Sequence, residues 1–180
     1  MKYLVANWKS NKKETEVTDW FATIASLYRE SQEKNFNNLE VVICPPFVYL
    51  PLVKNLLETY QLPFKSGAQN VSPYAEGAYT GEVTAKMLSF FAEYVIIGHS
   101  ERRKYFKEDE VQLVEKVERA KGANLQPIFC IAHKQNQIPE KVSLVAYEPI
   151  EAIGTGQAET PEKAAAMANF IKQKKQVQAV

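Results

Sequence analysis

Short apolar runs alternating with longer amphipathic stretches predict an α/β protein. Its strands are apolar along their whole length, so the sheet is parallel and covered by helices on its faces. At 180 residues the chain fits one domain, residues 1–180, with a substantial core. Two architectures satisfy this pattern, an open doubly wound sheet and a closed barrel. Both place their chemistry at the carboxyl ends of the strands.

The elements follow in order. The run from Tyr3 to Asn7 reads as the first strand, and Val17, Trp20, Phe21, Ile24, Leu27 and Tyr28 recur at helical spacing behind it. The next strand runs from Glu40 to Cys44. Pro45-Pro46 ends it, and a helix through Val48, Leu52, Leu56 and Leu57 follows. A third strand falls near Phe64 to Ala68, then a long loop and a helix near Glu82 to Ala92. The fourth strand, Tyr94 to Gly98, leads to a helix carrying Val111, Val114 and Val117, with Gly122 as its stop. Strands five and six span Gln126 to Ala132 and Val142 to Glu148. Thr160-Pro161-Glu162 combines a hydroxyl cap, a proline at the first helical position and an early acid, so a helix starts there. A stub, Val-Gln-Ala-Val, closes the sequence.

Composition narrows the function classes. Hydrophobic content of 46%, charged content of 24% and a net charge of +1 describe an ordinary globular protein. No dense basic block marks nucleic acid or a membrane surface as a partner. No apolar run approaches the about 20 residues that span a bilayer, and the start of the chain lacks a leader's long apolar region. Cys44 and Cys130 sit in separate apolar runs and read as buried free thiols, which suits a cytoplasmic location. His99 and His133 fall in no ligand spacing, so no structural metal is indicated.

Three strand ends carry a cation (Lys9), an imidazole (His99) and a carboxylate (Glu148). Each alone has an ordinary reading: a solvated lysine, a turn histidine, a surface acid. Their shared position at one end of successive strands points instead to proton abstraction beside a carbonyl. Burial makes a carboxylate a better base, while an imidazole and an ammonium stabilise the enediolate oxygen. Gly154-Thr155-Gly156 can turn backbone N–H groups toward an anion, and the segment from Pro149 to Gln157 reads as a lid.

These segments, Ala-Asn-Trp-Lys at Ala6, Ile-Ile-Gly-His-Ser-Glu-Arg-Arg at Ile96 and Ala-Tyr-Glu-Pro-Ile-Glu-Ala-Ile-Gly-Thr-Gly at Ala146, resemble the triosephosphate isomerase signatures. The resemblance is colinear from Lys2 to about Gln173. It implies a (β/α)8 barrel that is incomplete at its carboxyl end and lacks the helix between strands five and six. It also implies a cofactor-free interconversion of dihydroxyacetone phosphate and glyceraldehyde 3-phosphate, in glycolysis and gluconeogenesis. By the same resemblance Glu148 is the base, His99 the electrophile, and Lys9 the cation facing the substrate, with Asn7 and Gly154 also binding it. Glu101 is the supporting acid. The family is itself a reference case for pairing a glutamate base with a neutral histidine. Thr80, on the loop from Gln69 to Thr80, matches a residue that enters the neighbouring subunit of a homodimer. The other reading of the chain is a non-catalytic relative acting as a binding or interaction module.

Three departures from the family pattern are visible. The lid's tryptophan position holds Glu151, and Ala132-His133 replaces a Gly-Glu pair after strand five. Nine residues, 133–141, then join strands five and six. They reach about 30 Å extended, too few to form a packed helix as well, so one sheet face is expected to be less covered. Finally, the glycine-rich phosphate segments that the family carries after strands seven and eight are absent. Weak phosphate grip and open sheet edges are expected.

Overall fold

The computed structural model describes residues 1–31, 38–150 and 158–180. Its elements are β1 (Lys2–Asn7), α1 (Glu14–Glu30), β2 (Leu39–Cys44), α2 (Leu50–Thr59), β3 (Lys65–Ala68), α3 (Ala85–Leu88), β4 (Tyr94–Ile97), α4 (Ser100–Tyr105), α5 (Glu110–Gly122), β5 (Gln126–Ile131), β6 (Leu144–Tyr147) and α6 (Pro161–Lys174). All six strands are parallel and lie in sequence order, β1 to β6. A doubly wound sheet reverses its order at a switch point. This one never does, which decides for the barrel type. A bridge from Leu144 to Ala179 starts a seventh position, and the Gln178 amide donates to the Tyr3 hydroxyl at 2.9 Å. The sheet is therefore curled far enough to bring its two edges together at one point.

Alternation along the strands separates two cores. Val42, Cys44, Ile96, Ile128, Cys130 and Leu144 meet inside the curl, with Tyr3, Val5, Tyr94 and Ala146 against them. Their neighbours in sequence, Ile43, Val95, Ile97, Phe129, Ile131 and Val145, face outward and pack under the helices. Gly67 on β3 has no room for a side chain: a Cβ would lie 2.6 Å from the Cys44 sulfur.

The helices start where local chemistry allows. Asp109 and Gln112 cap each other reciprocally at the head of α5, and Thr160 accepts from the Lys163 N–H to open α6, as its sequence predicts. Other expectations shift. The α5 face that packs inward is Leu113, Lys116, Val117 and Ala120, whereas Val111 is 73% exposed and Val114 also faces solvent. The stop of α5 is made by Asn124, at φ 60°, and not by Gly122, which is the last helical residue. The helix expected near 82–92 shrinks to α3, because the Phe91 and Ala92 N–H groups both turn back to the Leu88 carbonyl before β4.

No helix joins β5 to β6, as expected, yet the outer face there is not bare. Phe129, Ile131 and Val145 are buried, because Val142 and Ile138 of the short connection fold onto them. Asn136 accepts from the Ala132 and His133 N–H groups to tighten the turn. Lys174 then reaches the Lys134 carbonyl, and Lys175 the carbonyls of Ile138 and Pro139. Two lysines at the end of α6 thus pin the connection in place of a helix.

Candidate active site

The backbone at two strand ends is held in uncommon conformations. Gly98, after β4, has φ 75°, where a side chain would be strained and would press within 3.1 Å of Arg103. Lys9, after β1, sits at φ 53° although it is not glycine. The Asn7 side-chain oxygen accepts from the Lys9 N–H at 3.0 Å and supports that turn. Such strain persists only where surrounding contacts over-determine it. Here the Gln69 amide clamps it, donating to the carbonyls of Lys9 (2.9 Å) and Cys44 (2.8 Å). Arg103 does the same for β4, donating to the Gly98 carbonyl at 2.9 Å.

These turns bring the chemical groups together. Lys9 Nζ lies 2.7 Å from Glu101 Oε1. His99 caps α4, its Nδ1 accepting from the Glu101 N–H at 3.3 Å. The same Nδ1 lies 3.5 Å from Glu101 Oε2, and Nε2 is the nitrogen turned toward Glu148. That Nε2 donates to Glu148 Oε1 at 2.8 Å, and Glu148 Oε2 accepts from the Ser100 N–H at 2.8 Å. Glu148 itself is placed by β6, its N–H bonded to the Ile131 carbonyl.

Burial pushes the Glu148 carboxyl upward, but the hydrogen bonds from His99 and Ser100 outweigh it and hold its pKa below the ordinary value. The sequence suggested a base strengthened by desolvation. In this arrangement the carboxylate is ionised but tied to its two donors. Beneath it the Cys130 thiol, buried, is pushed well up by desolvation and by the Glu148 charge. Both cysteines are free and buried, as expected.

A cavity of about 200 Å³ opens beside this cluster, lined by Asn7, Lys9, Gln69, His99, Glu101 and Arg102 among others. Larger hollows lie beside α2 and between β1 and β6, at about 440 and 590 Å³. A further hollow of about 400 Å³ beside α6 also holds an imidazole, a carboxylate and cations: His133, Glu159, Lys134 and Lys163. There Glu159 pairs with Lys163, so the joining of carboxylate to imidazole at the strand ends, and not size, assigns the site. The structure gathers Asn7, Lys9, His99, Glu101 and Glu148. Thr80 stands apart, exposed on its loop, while Gly154 and Glu151 lie outside the described residues. Sequence reasoning gave no role to Gln69, Ser100 or Arg103. Ser100 was findable as the first N–H of a helix opened by His99; the other two act through distant carbonyls. Among the described residues no group of potential metal ligands gathers, and no helix is long and apolar enough to cross a membrane.

Comparison with known proteins places the sequence in a family. The sequence model of the triosephosphate isomerase family covers residues 2–180. A triosephosphate isomerase of Phocaeicola vulgatus is 40% identical over 192 residues, covering 94% of this chain and 74% of its own length. Those of Mesomycoplasma hyorhinis and Thermus thermophilus are each 36% identical, over 190 and 193 residues, again covering 94% of this chain. They are covered over 76% and 74% of their own lengths. With the family model covering residues 2–180 and relatives 36–40% identical along 94% of its length, the chain belongs to the triosephosphate isomerase family.

Proposed function

We propose that the chain interconverts dihydroxyacetone phosphate and glyceraldehyde 3-phosphate by proton transfer through an enediolate. The observation that carries this reading is the 2.8 Å approach of His99 Nε2–H to the Glu148 carboxylate, with His99 lining the same cavity as Lys9. Glu148 takes the proton from the carbon beside the carbonyl and returns it to the neighbouring carbon. His99 donates from Nε2 to the oxygen that gains charge, and Lys9 offsets that charge. Asn7 fixes the Lys9 turn, and Glu101 holds both Lys9 and His99. The proton moves between adjacent carbons with no net oxidation, so the reaction needs no redox cofactor, and the family resemblance implies that it needs no metal. Gly154 is proposed to meet the substrate phosphate. The exposed loop bearing Thr80 is proposed as the homodimer contact, and the buried free thiols suit the cytoplasm.

Turnover of purified protein in a coupled assay, compared with Glu148→Gln, tests this. Activity that vanishes in the variant supports it, and equal background in both sinks it. The tie of Glu148 to His99 and Ser100 favours a second reading, a binding module without turnover. Binding of a phosphorylated triose with no exchange of its carbon-bound protons into solvent would select that reading.

A further inference from the structure

One guanidinium joins the two strands that hold the imidazole and the carboxylate. The β4–β5 ladder ends at the pair Ile97 and Phe129. Gly98 then turns away at φ 75°, so Gly98 and Cys130, next in the same register, fall outside it. Arg103 of α4 spans them with its side chain. Nε donates to the Gly98 carbonyl at 2.9 Å, and Nη2 reaches the Cys130 carbonyl at 3.4 Å. Nη1 pairs with Glu110 Oε1, at the head of α5, at 2.6 Å. The Phe129 ring lies 5.8 Å from the guanidinium carbon. Contacts from β4, β5 and α5 therefore fix its orientation.

Both ends of this bridge touch the chemistry. Gly98 is followed by His99, whose carbonyl accepts from the Arg103 N–H. The Cys130 thiol hydrogen-bonds to the Glu148 carboxylate, and the next carbonyl, that of Ile131, accepts from the Glu148 N–H. The Lys9 turn is held separately, by Asn7 and Gln69.

We propose that Arg103 is a positioning residue that sets the separation and angle of His99 and Glu148 without lining the active-site cavity. The inference rests on the isomerase reading, in which these two groups move the protons. A planar fork with donors at fixed angles meets two carbonyls and a carboxylate at once, whereas an ammonium offers one nitrogen and cannot. Arg103→Lys thus keeps the charge and loses the fork. The contact between His99 and Glu148 then loosens while the Lys9 side of the cavity stays intact, so turnover suffers and substrate capture does not.

Steady-state kinetics and carboxyl-resolved NMR of the parent, Arg103→Lys and Glu110→Gln test this. In Arg103→Lys, kcat should fall about tenfold to a hundredfold with KM little changed. The Glu148 carboxyl is faced by His99 and Ser100 from α4 and by Cys130 from β5. It should titrate at higher pH in Arg103→Lys than in the parent, because its donors are less well aligned. Glu110→Gln keeps an acceptor for Nη1, so it should lower the urea midpoint slightly and leave kcat and the Glu148 titration unchanged. An unmoved Glu148 titration in Arg103→Lys, a loss carried by KM, or an equal loss of kcat in Glu110→Gln overturns the proposal. A parent without turnover sinks the isomerase reading alone, and the Glu148 titration still decides whether Arg103 aligns the pair.

Discussion

His99 and Glu148 hold one another: the imidazole Nε2–H donates to the carboxylate at 2.8 Å, and that carboxylate is the group proposed as the base. The resting site is self-engaged. In the proposed reaction, substrate binding exchanges this bond for one from His99 to the reacting oxygen, which frees Glu148 for the carbon-bound proton.

The acid limb of the activity profile should report that bond. Glu148 has a folded pKa below its unfolded one, so its contribution to stability is present above the ordinary carboxylate range and is lost as pH falls through the folded pKa. Activity in the free enzyme should fall in that same low window. In His99→Gln the limb should move upward, because one donor to the carboxylate is weakened or lost. A pH profile of kcat/KM that keeps its acid limb in the variant would mean that the bond does not set it.

Glu148→Asp tests placement and not charge. Its carboxylate falls about 1 Å short of the proton, a shift that can cost about a hundredfold. Steady-state turnover should drop by that order while the fold, followed by circular dichroism, is unchanged.

The buried ion cluster behind α4 should dominate stability. Glu108 accepts from Arg102 and Lys116, while Lys116 also donates to Asn70 at 2.7 Å. Glu108→Ala leaves two cations without their shared partner and should cost about 3–5 kcal/mol, read as a lowered midpoint in urea. Burial pushes the Lys116 ammonium below its ordinary pKa. Between the folded and unfolded values the unfolded chain binds more protons, so this group makes the fold more stable as pH rises through that alkaline window.

The lysine pins on the β5–β6 connection make a separate prediction. Lys175→Met removes a charged donor from the carbonyls of Ile138 and Pro139 and should cost about 1–3 kcal/mol. Amide exchange should quicken selectively across residues 133–142. Uniform quickening would mean that the lysine acts on the whole fold.

Self-association is predicted through the loop bearing Thr80. Its stiffness has a visible source: Tyr74 and Tyr79 stack at 4.2 Å with rings 6° apart, both partly exposed. Replacing residues 75–79 with a short Gly-Ser turn should convert a dimer into a monomer by sedimentation. A parent already monomeric at high concentration removes the idea.

Strands were legible because fully apolar runs such as Val41 to Cys44 admit few alternatives, and Thr160-Pro161 announced its helix. The inward face of α5 was not, since Val111-Val114-Val117 and Leu113-Val117-Ala120 both fit a helical period. Only packing chooses between them. Lys9, His99 and Glu148 could be picked out by their place at strand ends. The clamps by Gln69 and Arg103 could not, because each joins carbonyls that become neighbours only in the folded sheet.

The Gln178–Tyr3 bond joins positions 175 residues apart. Closing so long a span costs more chain entropy than any neighbouring strand pair, while the reward at that point is one exposed hydrogen bond. Consecutive β–α units form from short-range contacts and need no such closure. The two ends of the sheet should therefore meet last during folding and part first under mild denaturant, as a sub-global opening well below the energy of complete unfolding. Proteases would find the carboxyl-terminal segment through that opening while the middle strands remain intact.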